Sequence, residues 1–166
     1  MRRLFPVLLG LLAAGLTGCG PKEVTPLQRK QGASLASEAS FALTLRDYAR
    51  AEKLMSQAVE ACPDNADYWL ALGSARRRLD RRGDAKDAYG QALKAARAVA
   101  KRHPDESAPV LQQVYVLALL GQADDARATL EQARRDLPND RSLRRFAENR
   151  ELDRMLADPD FKQLAP

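Results

Sequence analysis

The amino-acid sequence predicts an all-α protein built from about three antiparallel helix pairs, followed by a C-terminal capping helix. The chain is 45% hydrophobic but only 5% aromatic. It is rich in Ala and Leu, which lose little conformational freedom on entering a helix. A proline-containing pattern also recurs: Pro63 and Pro104 are separated by 41 residues, and Pro104 and Pro138 by 34. Recurrence at such periods is typical of stacked helix pairs, which bury their apolar faces against one another.

The first eighteen residues have the order of a signal peptide. Arg2 and Arg3 form a basic start, and Leu4 to Leu16 is an apolar run of 13 residues, which is short for a bilayer span. Small residues then lead to Gly18-Cys19, which resembles the lipobox of bacterial lipoproteins. The resemblance implies cleavage before Cys19, a diacylglycerol on its sulfur, and acylation (palmitate) of the new N-terminus. An ordinary secretory signal and an uncleaved anchor helix remain alternatives.

A lipoprotein of this kind faces the periplasm of the bacterial cell envelope. In enteric lipoproteins an Asp after the lipidated Cys tends to mark inner-membrane retention, so Gly20 indicates the outer membrane rather than the inner one. Residues 19–31 contain Pro and charge without a helical period, which predicts a flexible tether. Removal of Arg2 and Arg3 lowers the formal net charge from +5 to +3, a balance that does not demand a polyanionic partner.

Small and large apolar residues recur at fixed offsets in the region after the tether. The same small-large-small trio occurs twice, and a Trp-x-x-Leu-Gly run lies between the two copies: Ala51, Met55 and Ala58; Trp69, Leu72 and Gly73; Ala126, Leu130 and Ala133. Small residues let two helices approach closely while the large one fills the gap between them. These motifs resemble those of the tetratricopeptide repeat.

The resemblance implies a right-handed superhelical stack of three helix pairs over 32–140, divided as 32–65, 66–106 and 107–140, with capping helices over 141–166. Apolar residues of the last segment are expected to cover the open end of the stack: Phe146, Leu152, Leu156, Phe161 and Leu164. The alternative is a generic bundle of three helical hairpins.

The match to the repeat has departures. The middle unit carries about seven extra residues, expected as one added turn in Ala75–Arg82 and another in Ala95–Arg102. Arg46 stands where the repeat usually has Gly, whereas Gly83 and Gly121 are expected in turns.

Residues able to do chemistry are few. His103 is the sole histidine, so a His-based catalytic triad would have a single candidate residue. His103 precedes Pro104 at a predicted helix end, where a basic side chain is favoured by the helix dipole. Cys62 occupies the equivalent place before Pro63 and is interpreted as a packing residue. We expect no enzyme, no catalytic or metal site, and no cofactor besides the lipid on Cys19.

The resemblance also implies a ligand groove lined by the first helix of each pair. By register, its residues are Asp67, Leu70, Ser74, Arg77 and Arg78 in the middle unit, Leu111 and Tyr115 in the third, and Ala36, Ser40 and Leu43 in the first. Such a groove suits an extended segment or a helix with acidic and apolar side chains. The leading hypothesis is a membrane-anchored interaction scaffold or assembly factor for envelope proteins, which could also form homo-oligomers.

A second hypothesis rests on the arginine cluster, which we define as Arg76, Arg77, Arg78, Arg81 and Arg82. Such a cluster could bind a polyanion such as an envelope glycan or an anionic lipid, and it could equally be a solvated helix end. Nucleic acid is not expected, because a single-strand site would need aromatic stacking partners beside the arginines.

Overall fold

A computed structural model describes residues 23–166, and these residues form nine helices and no strand. The predicted signal peptide over 1–18, Cys19 and the first residues of the predicted tether lie outside the described range. Among the described helices, none combines the length and apolar character needed to cross a membrane. The helices are α1 (Pro26–Thr44), α2 (Tyr48–Ala61), α3 (Ala66–Arg78), α4 (Arg82–Arg102), α5 (Ala108–Leu119), α6 (Ala123–Asp136), α7 (Arg141–Glu148), α8 (Glu151–Ala157) and α9 (Pro159–Leu164).

The start of α1 corrects the predicted tether, which is wrong over residues 26–31. Thr25 is the N-cap of α1, and its hydroxyl accepts a hydrogen bond from the Gln28 amide while the Gln28 side chain accepts one from the Thr25 amide. This capping box satisfies two amides that the first turn would otherwise leave unpaired, and Pro26 presets the helical φ. Arg29, within the supposed tether, also forms a 2.8 Å ion pair with Asp64.

The first six helices form three pairs in which consecutive helices pack side by side. Short connections make each pair antiparallel. Both predicted trios are buried, so the packing role assigned to Ala51, Met55, Ala58, Ala126, Leu130 and Ala133 is confirmed. In the middle pair, Leu72 and Gly73 are buried whereas Trp69 is only partly so, with its indole N–H donating to the Pro63 carbonyl at 2.9 Å.

The turn inside each pair has one left-handed residue. These residues are Arg46 (φ 59°), Asp80 (φ 58°) and Gly121 (φ 75°). In each turn, the next amide donates to a carbonyl five residues earlier at 2.9 Å: Asp47 to Ala42, Arg81 to Arg76, and Gln122 to Leu117. This is the bonding of a Schellman motif, which favours Gly at the left-handed position. Gly121 is a turn residue as predicted. Gly83 is not, because it lies in the first turn of α4, and Asp80 is the left-handed residue of the turn between α3 and α4 instead.

The extra length of the middle unit lies in one helix. α4 has 21 residues, whereas α2 and α6 each have 14. The first helices α3 and α5 have 13 and 12, so the added turn predicted within Ala75–Arg82 is wrong. Seven residues make about two helical turns, so the insertion lengthens α4 while keeping its buried face in register.

The last three helices fold back along the stack. α7 packs on α6, α8 packs on α5, and α9 contacts both α3 and α5. Leu143 and Leu152 are buried in the core of the last pair, so α7 and α8 are integral to it. The expectation that Phe161 and Leu164 cover the open end of the stack is wrong, because α9 lies along α3 and α5. Phe161 packs on Tyr115 of the third pair, and the Leu164 carbonyl bonds Tyr89 of the middle pair.

Candidate functional site

The inner face is defined here as the side of α3 and α5 that carries Leu70, Ser74, Arg77, Leu111 and Tyr115, all predicted groove residues. Each of them is partly buried. The Asn65 side chain caps α3 by accepting from the amides of Asp67 and Tyr68. This cap fixes the start of α3. In the first turn of α3, the Asp67 carboxylate accepts a hydrogen bond from the Gln112 side chain of α5 at 2.5 Å. This hydrogen bond joins α3 to α5 across the inner face.

The chain's own C-terminal segment lies on the inner face. The Arg77 guanidinium donates through Nε to the Ala165 carbonyl at 2.6 Å, and the Tyr89 hydroxyl donates to the Leu164 carbonyl at 2.9 Å. The Tyr115 ring meets the Phe161 ring edge to face, with centroids 5.4 Å apart. Two predicted groove residues therefore contact the chain's own C-terminal segment: Tyr115 contacts α9, and Arg77 contacts Ala165 directly after it.

Tyr89 is a site residue that the sequence prediction missed. Its ring is fully buried between α4 and α3, where Gly73 leaves room for it, and its hydroxyl emerges beside Ser74 at the inner face. Burial raises the pKa of Tyr89 and that of Tyr115 above the ordinary value of 10.0. Both phenols therefore remain protonated at neutral pH, and Tyr89 serves as a hydrogen-bond donor.

The first pair offers a more open surface. Ser40 is exposed and its hydroxyl donates to the Ala36 carbonyl within α1, while Ala36 and Leu43 are partly buried. In the middle pair, the two predicted groove residues that are not part of the inner face, Asp67 and Arg78, are also exposed. These exposed groove positions are polar or charged: Ser40, Asp67 and Arg78.

The arginine cluster is largely paired with acidic groups of the same chain. Arg76 contacts Glu52 at 3.1 Å with both side chains mostly buried, and Arg81 contacts Glu52 and Asp84 at 3.3 and 2.7 Å. Asp80 receives Arg77 and Arg82 at 3.6 and 3.2 Å. Within the described residues, Arg78 is the one member without an ion pair. These contacts give the cluster a structural role and lend no support to the polyanion hypothesis.

The two residues with reactive side chains have structural surroundings. Cys62 is buried at the end of α2, its thiol donates to the Gln28 carbonyl at 3.3 Å, and burial raises its pKa. The packing role predicted for Cys62 is confirmed. His103 is the C-cap of α4, and its Nδ1 lies 3.4 Å from Oε1 of Glu106. In the described part of the chain, no three His, Cys, Asp or Glu side chains come together as metal ligands would.

The large apolar side chains that are exposed in the described range lie on α1 or at its C-cap. Leu27, Phe41 and Leu45 are 75%, 61% and 62% exposed. Phe41 is equivalent by repeat position to Ala75 and Val116, both of which are buried between neighbouring pairs. Phe41 is therefore exposed because α1 is the first helix of the described stack.

Comparisons with known proteins identify the repeat. Two family models, each described as tetratricopeptide repeat, match residues 33–75 and 66–99. One similar solved structure is the first tetratricopeptide domain of Spaghetti (RPAP3) bound to the HSP90 peptide SRMEEVD. It has 18% identity and a TM-score of 0.48, with 78% of this chain and 98% of that chain covered. No curated protein matches the sequence. The family models, together with the all-helical fold, establish that the chain contains tetratricopeptide repeats, which are protein-interaction modules.

Proposed function

We propose that the chain is an adapter of the bacterial cell envelope that holds a partner protein on the first helices of its repeats. The observation that carries the proposal is the inner face itself. It combines aromatic and aliphatic side chains with two donors, Arg77 Nε and the Tyr89 hydroxyl, each of which bonds a main-chain carbonyl. Donors aimed at main-chain carbonyls recognise peptide segments, with apolar neighbours adding selectivity.

The proposal includes a lipid anchor at Cys19, supported by the basic, apolar and small-residue order of residues 2–19. Since α1 begins at Pro26, six residues separate Cys19 from the helix. A chain of that length spans at most about 20 Å, so the repeats would stay near the lipid surface. Metabolic labelling with an alkyne fatty acid tests the anchor: we expect labelled, membrane-associated wild type and unlabelled Cys19→Ser. Labelling of the variant would contradict lipidation.

Site-specific photo-crosslinking in cells tests the adapter function. A photoreactive phenylalanine at Ser40 or Arg78 samples exposed positions on the first helices, and one at Lys94 on α4 is the control. The proposal predicts a discrete protein adduct from Ser40 and Arg78 that is missing from Lys94. The same adduct from all three positions, or none from correctly folded protein, would contradict it.

A further inference from the structure

We propose that the inner face is a receptor for a short helical segment with an aromatic side chain three or four residues before exposed main-chain carbonyls, and that α9 is its built-in, replaceable occupant. The inference rests on the proposed adapter function and specifies the chemistry of the partner segment. Its main observation is the set of contacts that Arg77, Tyr89 and Tyr115 make with residues 161–165.

The receptor recognises the C-terminal end of a helical turn. The last carbonyls of a helix have no partner within it, and they carry the negative end of the helix dipole. Here the carbonyl of Leu164, the last residue of α9, accepts from Tyr89, and the carbonyl of Ala165, the extended residue after it, accepts from Arg77. Since these bonds are made to main-chain oxygens, they do not require the particular side chains of residues 164 and 165. A segment from another protein could accept the same two bonds.

An aromatic side chain supplies the second element of recognition. Phe161 lies three and four residues before the two bonded carbonyls, so one helical turn and the extended residue after it carry all three groups. Its ring meets Tyr115 at an interplanar angle of 80°, an arrangement favoured by the ring quadrupoles. Asp158 caps the turn by accepting from the amides of Asp160 and Phe161. The favoured partner segment therefore has an acidic or amide cap, an aromatic residue and a helix end.

The packing of α9 is that of a peripheral segment. Its six residues include none that is fully buried, whereas α7 and α8 bury Leu143 and Leu152 in the core. Segments with few buried apolar contacts open at lower cost than the core does. Release of α9 would uncover Tyr115 and the donors of Arg77 and Tyr89 while leaving the helix pairs in place.

Binding of a labelled peptide tests the proposal. The probe is fluorescein-labelled Asp-Pro-Asp-Phe-Lys-Gln-Leu-Ala-Pro, the sequence of residues 158–166, added to the full chain. Wild type should bind it weakly, because its own α9 competes at high effective concentration. The full-length Phe161→Ala variant should bind it at least tenfold more tightly. A peptide with Ala in place of its Phe is the matched control and should bind the variant at least tenfold more weakly than the parent peptide.

Equal binding to wild type and Phe161→Ala, or binding to neither by folded protein, would overturn the proposal. Hydrogen exchange on wild type provides a measurement that needs no variant. The α9 amides should exchange at least tenfold faster than those of α5, and equal protection would overturn replaceability. Failure here differs from failure of the adapter function. If a cross-linked partner binds wild type and Phe161→Ala equally, the adapter stands and this inference falls; if the peptide binds the variant but no partner exists in cells, the reverse holds.

Discussion

Replacing Gly73 by Ala should destabilise the protein through the contact between α3 and α4. A Cβ atom at this position would lie 3.0 Å from Cζ of Tyr89 and closer still to Cδ1 and Cε1 of the same ring. The ring is fully buried and its hydroxyl is bonded to the Leu164 carbonyl, so it has little freedom to move. The methyl group must therefore force the two helices apart or displace α9.

The magnitude follows from two opposing effects. Overpacking of a buried site costs about 1–3 kcal/mol, and two ring carbons nearer than 3.0 Å favour the upper part of that range. Replacing Gly by Ala inside a helix contributes up to about 1 kcal/mol in the other direction. We expect a net loss of about 1–2 kcal/mol in the free energy of unfolding, measured by urea titration with circular dichroism at 222 nm.

Gly90→Ala provides the matched control for the helix effect. Gly90 lies inside α4, is exposed, and a Cβ there would meet nothing within 4 Å. The free energy of unfolding of this variant should be about 0.5–1 kcal/mol higher than that of wild type. Introducing Gly73→Ala into a Tyr89→Leu background should cost less than in wild type, because the opposing ring is gone. A Gly73→Ala protein as stable as wild type, or a cost unchanged by Tyr89→Leu, would refute the reasoning.

Three further predictions test other parts of the account. Arg46→Gly should raise the free energy of unfolding by about 0.5–1 kcal/mol in urea titrations, because Gly relieves the left-handed strain at φ 59°; a loss of stability would contradict the turn geometry. Arg76→Gln should lower the free energy of unfolding by about 1–2 kcal/mol, because it breaks the mostly buried ion pair with Glu52. Arg78→Gln should change the free energy of unfolding by less than about 0.5 kcal/mol. Equal effects of the two substitutions would contradict a structural role for the paired arginines. Raised pKa values of Cys62, Tyr68, Tyr89 and Tyr115 mean that the unfolded chain loses these protons at lower pH than the folded one. The urea midpoint should therefore fall as pH rises above about 9, through the ordinary pKa values of 9.0 and 10.0, and a midpoint that rises there would contradict the burial of these groups.

Local patterns in the sequence were sufficient for the helix pairs and much of their core. The spacing of Ala51, Met55 and Ala58 specifies a buried helix face whatever the partner helix is. Arg46 was recognised at a position where Gly is usual, and the structure gives it the left-handed conformation that explains this. The true start of α1 also had a local signal, since Thr25 and Gln28 form a capping box around Pro26. Proline and charge at 19–31 favoured a tether instead.

The position of the tail could not be read from local patterns. Phe161 and Leu164 have the spacing of an apolar helix face whether α9 covers the end of the stack or lies along the inner face. Their actual place depends on Tyr115 and on two donors, Arg77 and Tyr89, that are distant in sequence. The location of the seven extra residues was similarly open, because both helices of the middle pair consist of good helix formers. The candidate groove residues were named by register, but their contact with α9 required the tertiary structure.

The most direct test of the central claim is the nuclear Overhauser cross-peak between the aromatic protons of Phe161 and Tyr115. With ring centroids 5.4 Å apart, the cross-peak should be present in the free protein. It should disappear when the partner identified by cross-linking, or a 158–166 peptide with a deuterated Phe ring in saturating excess, takes the place of α9 on the inner face. A cross-peak missing from the free protein, or one that persists at saturation with the ligand bound, would contradict the account.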